Sequence, residues 1–358
     1  MIELRLDYFQ EQEEEECEIM IMRDAIREFY EYYYSSPDFK LWRDEFSGEI
    51  YTCLTSNIGL GEVQTVTELC DVMKSKRYRG LRIESKKTHS RSTSGVQFDY
   101  IGKQTVTELA DMVVISIVTF NREILLLKTA FVQNKKMPNN SNTPTWSIDQ
   151  KQLFLLKNFP AFKGVSGIFN SGIFHNEKIT FLNHTNTLGN FGLFSSNGEL
   201  IFLTAKNTFC TQGANGRISL ENMKNAAAMS ATATTYYHSF QNFCRRCHKD
   251  CYYDDYRGCF LPLSHLNYMP FFNNYSYALD VHEVVKDLTY FNIGEPSSTF
   301  GKVTNERLYN LTGYLLYSAF GYKIGENHFN YNNNELNNDF WEGGINIILN
   351  HLELGKEY

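Results

Sequence analysis

No stretch of the sequence approaches the roughly 18 consecutive apolar residues that a membrane-spanning helix needs. The longest apolar run, MVVISIV at 112–118, is the length of a strand. A secretory leader is also missing: the chain opens MIELRLDYFQ and passes into acidic residues, with neither a basic n-region nor an apolar h-region. Both absences point to a cytoplasmic protein with no membrane partner. Three common signatures do not occur, namely a GxxxxGK[ST] phosphate loop, a GxSxG nucleophile elbow and an HExxH zinc helix. The nine histidines are scattered with no pair at ligand spacing, and His282, within LDVHEVVKDL, reads as an ordinary helix or core residue. A surplus of positive charge is lacking as well. The net charge of −7 argues against a surface built throughout to attract nucleic acid.

What is present is enough to fold. With 358 residues, 42% of them hydrophobic and 15% aromatic, the chain can bury a substantial core in one large domain or two ordinary ones. Its eight cysteines, in a chain of this length without a leader, read as reduced thiols or metal ligands rather than a disulfide framework. Charge is unevenly placed. Residues 13–16 are four consecutive glutamates, whereas Lys74 to Arg91 holds eight Lys or Arg and one acid, Glu84. Such a track suits either a solvated face or a phosphate-binding groove, in which Arg79, Arg82, Lys86 and Lys87 are candidate backbone contacts.

Apolar residues at 19, 22, 26, 29, 30 and 33 recur at helical spacing, and Ser35-Ser36-Pro37 marks the end of that helix. The hexapeptide QTVTEL occurs at 64–69 and again at 104–109. The first copy, continuing CDVMKSK, predicts a helix capped by Thr67 with Asp71 in its middle. The second runs through Asp111 into two β-branched apolar stretches, 112–119 and 124–132, which predict a buried hairpin around Asn121 and Arg122. The continuations diverge too far for repeat architecture. GLRIESKKTHS and GVQFDYI alternate as strands, and SIDQKQLFLLKNFP predicts a helix with a Ser147/Gln150 capping box, closed by Pro160. Beyond about residue 165, short alternating runs predict antiparallel strands to about 207, followed by helices at NMKNAAAMSATATTYYHSFQNF, YALDVHEVVKDLTYF and INIILNHLEL.

Metal-assisted hydrolysis of a phosphodiester needs an acidic oxygen ligand, a further oxygen ligand and a cation beside the developing charge. Asp111, Gln133 and Lys135 can supply these. Gln133 and Lys135 share one face of a strand, and a register with residue numbers summing to about 244 sets Asp111 across from Gln133. A slip of one residue would turn one side away. The plain alternative is a hairpin with polar ends. An aspartate entering an apolar strand is costly without a partner, which favours a working site.

At Asp111 and Gln133-Asn134-Lys135 the sequence resembles the PD-(D/E)xK nuclease superfamily, in the QxK form of Mrr-like enzymes and antiphage defence nucleases. The resemblance covers residues 84–160 and departs from the family in lacking a proline before Asp111 and in offering the neutral Gln133, a weaker metal ligand than a carboxylate. It implies a restriction-endonuclease-like α/β core with a mixed sheet, in an α+β protein whose N-terminal helix and core fill residues 1–165. Residues 166–358 would form a C-terminal α+β region that binds a partner or substrate. It further implies Mg2+ or Mn2+ on Asp111, Gln133 and a backbone carbonyl, with Glu108 as a second carboxylate and Lys135 beside the scissile phosphate. The implied substrate is DNA rather than RNA, and the implied partners are an activating protein or a second copy of the chain. The competing reading is a non-catalytic scaffold of the same fold that binds nucleic acid or protein. A rival motif, Glu84-Ser85-Lys86 after Asp71, lacks room for a strand pair, although Glu84 could lend its carboxylate to the Asp111 site. Separately, Cys244, Cys247, Cys251 and Cys259 are spaced C-x2-C-x3-C-x7-C around His248, which fits a structural Zn2+ site or one face of a helix of buried thiols.

Overall fold

The two apolar runs after Asp111 form an antiparallel hairpin of Met112–Phe120 and Glu123–Lys136. Its turn residues Asn121 and Arg122 are both left-handed, with φ of 51° and 74°, which is the conformation of a two-residue type I′ connection. Paired residue numbers sum to 244 from Met112 and Val132 to Val118 and Leu126, after which a bulge shifts the register. The molecule is a computed structural model. It describes residues 24–25, 27–87, 94–138, 144–170, 177–181, 187–208, 216–221, 223, 277–299, 301–325, 328–331 and 345–355.

The strands, in chain order, are β1 (Lys76–Tyr78), β2 (Leu81–Lys87), β3 (Gly95–Tyr100), β4 (Lys103–Glu108), β5 (Met112–Phe120), β6 (Glu123–Lys136), β7 (Thr145–Ser147), β8 (Phe162–Gly164), β9 (Gly189–Phe194), β10 (Leu200–Thr204), β11 (Arg217–Ser219), β12 (Tyr277–Ala278), β13 (Glu295–Thr299), β14 (Lys302–Val303), β15 (Tyr322–Gly325), β16 (His328–Tyr331) and β17 (Asn346–Leu354). The helices are α1 (Pro37–Ser56), α2 (Glu62–Met73), α3 (Gln150–Asn158), α4 (Val281–Thr289) and α5 (Glu306–Phe320). The main sheet runs β1-β2-β17-β5-β6-β9-β10-β12, with β13 also on β6. Two pairings, β17 with β5 and β6 with β9, are parallel, and the rest of that path is antiparallel. The α+β class and the mixed sheet are therefore present. The sheet also runs across the boundary expected at residue 165, because β9, β10 and β17 lie in the same layer as β5 and β6.

Helices cover both faces, which is why β5 reads as a continuous apolar run rather than an alternating one. Val113, Ile115, Phe131 and Ile347 pack with α3, α5 and the small sheet β4-β3-β8. Val114, Ala130, Val132 and Ile348 pack with α1, α2 and α4. Among the described residues no helix is long and apolar enough to cross a membrane.

Three local expectations are corrected. INIILNHLEL is the strand β17, not a helix, and it lies between β2 and β5 with eight of its nine residues buried. Apolar side chains on both faces suit a central strand as well as a buried helix, and neighbouring strands decide between them. Helix α2 begins at Glu62 after an N-cap at Gly61, and Thr67 lies inside it with its hydroxyl donating to the Val63 carbonyl at 2.9 Å. Helix α3 is capped by Asp149, which accepts from Lys151 N and Gln152 N, while Ser147 ends β7. The helix expected at NMKNAAAMSATATTYYHSFQNF lies almost wholly outside the described residues, whereas the one at YALDVHEVVKDLTYF is α4.

Candidate metal centre

One end of the main sheet gathers the polar groups: β5 and β17 begin there, and β2, β6 and β9 end there. Asp111 immediately precedes β5. Its N–H donates to the Val132 carbonyl at 3.0 Å, which ties it to the β6 residue already paired with Met112. Its carbonyl accepts from Asn346 N at 3.1 Å, so β17 pins it from the other side. Its Oδ2 accepts the Asn134 N–H at 2.6 Å, a charge-assisted bond to the backbone of the QNK stretch itself.

Gln133 is 0% exposed. Its Nε2 donates to the Glu108 carbonyl at 3.3 Å, which fixes the amide and leaves Oε1 buried without a hydrogen-bond partner. Such an orphaned acceptor costs about 1–3 kcal/mol, which a cation or an ordered water can relieve. Glu108 ends β4 and reaches the same corner. Burial pushes its carboxyl up to about 7, and the nearby Asp111 charge adds to the effect. Burial likewise raises Asp111 to about 6, against the Lys135 charge and the Asn134 N–H, which favour the ionised form. Two half-buried acids in one corner thus hold protons into the neutral range.

The remaining group comes from α2. Lys135 Nζ pairs with Glu62 Oε1 at 3.3 Å, and Glu62 Oε2 accepts the Lys136 N–H at 3.1 Å. Among the described residues no group of three or more His, Cys, Asp or Glu is placed to hold a metal. The donors here are two carboxylates and a neutral amide oxygen. That set fits a hard divalent cation such as Mg2+, which commonly takes one or two carboxylates and completes its shell with water and phosphate oxygens.

Asp111, Gln133, Lys135 and Glu108 are therefore brought together. Lys86 is exposed on the same face as Asp111, level with Val113 across Ile347 and about 10 Å, or two strand spacings, from Val113. Lys87 is exposed on the opposite face, where it donates to Thr67 Oγ1 at 3.0 Å. Arg79 and Arg82 are not at this corner. Arg82 donates to His351 Nδ1 at 2.9 Å and lies over the Tyr322 ring, and Arg79 stacks on Tyr32 in the turn at the far end of β2. Leu81 is level with Val118, seven residues from Asp111, so that turn is about 23 Å distant. The rival motif does not assemble. Ser85 faces α2, so Glu84 and Lys86 point to the other side of the sheet from Asp71. Nor does Glu84 reach Asp111: it is level with Ile115 across β17 and meets Arg82 and Tyr322. The four cysteines of the zinc expectation lie outside the described residues.

Two residues of this corner were not singled out by sequence. Glu62 was hidden because the start of α2 was placed at Thr67; with Gly61 as N-cap, an acid at the first helical position is the available signal. Asn346 was hidden by the helical reading of β17. Comparison of the chain with family models, curated proteins and solved structures finds no match.

Proposed function

We propose that this chain is a metal-dependent nuclease that hydrolyses phosphodiester bonds in DNA, with its centre at the β5–β6 end of the sheet. The observation that carries the reading is the Gln133 side-chain oxygen, buried and unpartnered on the residue next to Asn134, whose N–H the Asp111 carboxylate accepts. Asp111, Gln133 and, once its proton has left, Glu108 would hold Mg2+ or Mn2+. Bound there, such an ion supplies Lewis-acid polarisation of a phosphoryl oxygen and lowers the pKa of a water. Lys135 sets an ammonium group beside the reacting phosphate, where it offsets developing negative charge. Lys86, exposed on the Asp111 face, draws in the phosphate backbone. The choice of DNA over RNA and a place in antiphage defence rest on the QxK resemblance alone.

Incubating the purified protein with plasmid DNA and Mg2+ or Mn2+ tests the reading. Wild type is expected to nick or linearise the plasmid, and Asp111→Ala and Lys135→Ala to lose about 100-fold or more of that rate. Equal cleavage by all three proteins would end it. The scaffold reading draws on one feature, the tie between Lys135 and Glu62. It predicts no Mn2+-dependent thermal shift, whereas the nuclease reading predicts one that Asp111→Ala abolishes.

A further inference from the structure

We infer that Glu62 is a positioning residue that holds Lys135 at the centre, a role that rests on the nuclease reading above. The argument begins at neighbouring lysines. Side chains alternate across a strand, so Lys135 and Lys136 leave β6 on opposite faces. Both are nevertheless tied to one short stretch of chain, residues 57–65, which wraps the end of the strand. On one face the Lys136 ammonium donates to the carbonyls of Asn57 at 3.3 Å, Ile58 at 2.6 Å and Leu60 at 2.5 Å, and to Thr65 Oγ1 at 3.3 Å. This anchors the loop that leads into α2. On the other face Glu62, the first residue of α2, reaches back to Lys135 Nζ with one oxygen and to the Lys136 N–H with the other.

Both Glu62 oxygens are thus engaged by the chain's own donors, and one of those donors is a backbone N–H of β6 that cannot turn away. A carboxylate used in this way fixes a lysine. It does not offer itself to a cation as Asp111 and Glu108 do. Helix α2 gains no side-chain cap at Gly61, so the Glu62 carboxylate is spent on the strand rather than on its own helix end. The bracket of Lys136, loop, α2 and Glu62 brings the Lys135 ammonium to a defined point beside the corner that holds Asp111 and Gln133.

The test uses the full-length chain and Glu62→Gln, which keeps an acceptor for the Lys136 N–H and loses the charge that holds Lys135. The first readout needs neither metal nor cleavage: acylation of Lys135 by acetic anhydride, followed by peptide mass spectrometry. Release of the amine should raise its labelling several-fold in the variant, and unchanged labelling would overturn the inference. The second is Mn2+ affinity, expected to be the same in both proteins. A loss of about tenfold, as follows removal of a ligand or its direct support, would make Glu62 part of the metal shell and overturn the positioning role. The third is single-turnover cleavage. The rate constant should fall by about tenfold or more with half-saturating DNA unchanged, as expected for a misplaced catalytic group. Glu62→Ala, which loses both contacts, should fall further, and a rise in half-saturating DNA with an unchanged rate constant would count against positioning. If Asp111→Ala cleaves like wild type, the nuclease reading fails while the labelling result still decides the Glu62 contact. If labelling is unchanged but Asp111→Ala is inactive, only the positioning role falls.

Discussion

At Gln133 a neutral amide stands where a carboxylate would have brought a fourth acid into a corner already holding Asp111, Glu108 and the lysine-paired Glu62. Asp111 and Glu108 keep protons to unusually high pH because burial disfavours their charged forms. Replacing Gln133 by Glu should destabilise the metal-free protein by about 1–3 kcal/mol above neutral pH, measured by urea unfolding, and tighten Mn2+ binding. The pH dependence follows from the same shifts. Between about 4 and about 7 the folded chain binds more protons than the unfolded chain, since Asp111 and Glu108 titrate near 6 and 7 instead of their ordinary 3.8 and 4.5. Stability of the metal-free protein should therefore fall as pH rises through that window. Asp111→Asn should flatten the slope and leave the metal-free protein more stable above pH 7. A slope unchanged by that substitution would remove Asp111 as its source. At this scale the sequence was readable where two residues share a strand, as Gln133 and Lys135 do on β6. It was silent on Glu62, 49 residues before Asp111, because nothing in local spacing joins a helix start to a strand end.

The hexapeptide QTVTEL is a lesson at the scale of the element. Residues 64–69 are helix within α2, whereas residues 104–109 run along β4 and just past its end. The side chains are identical, so intrinsic propensity cannot have decided. The flanks decide. The first copy follows a Gly61 cap and continues CDVM, placing Val66, Leu69, Cys70 and Met73 on one buried stripe. The second follows the Ile101-Gly102 turn, both residues at positive φ, which starts a strand beside β3. The hairpin β5–β6 was legible for the same reason in reverse, since its apolar runs are bounded by a turn and no rival packing is open to them. Packing between elements also carries a prediction. A Cβ at Gly189, where β9 starts beside Phe131, would collide with the carbonyl of Leu156 in α3. Gly189→Ala should force α3 away from the sheet at a cost of about 1–3 kcal/mol in chemical unfolding. An unperturbed variant would mean that α3 is not seated on the strand.

For the whole molecule the telling element is β17, the final strand, which sits at the middle of the main sheet between β2 and β5. Its N-terminal end shapes the candidate centre, because Asn346 donates to the Asp111 carbonyl. The site therefore depends on residues more than 200 positions apart, a closure that no local pattern could reveal. Leu349 is 0% exposed between Glu84 and Ile115, and Leu349→Ala should cost about 2–5 kcal/mol. The same substitution should weaken Mn2+ binding although the side chain touches no ligand. Metal affinity that survives this loss of stability would separate the centre from the closing strand.

The most direct measurement is a Mn2+ titration followed by electron paramagnetic resonance, at a pH above about 7 where both carboxyls are ionised. Wild type should bind the ion, Asp111→Asn should abolish binding, and Gln133→Leu, which deletes the orphaned oxygen, should weaken it about tenfold or more. Equal binding by wild type and Asp111→Asn, or none by wild type, would contradict the assignment of this corner as a metal centre.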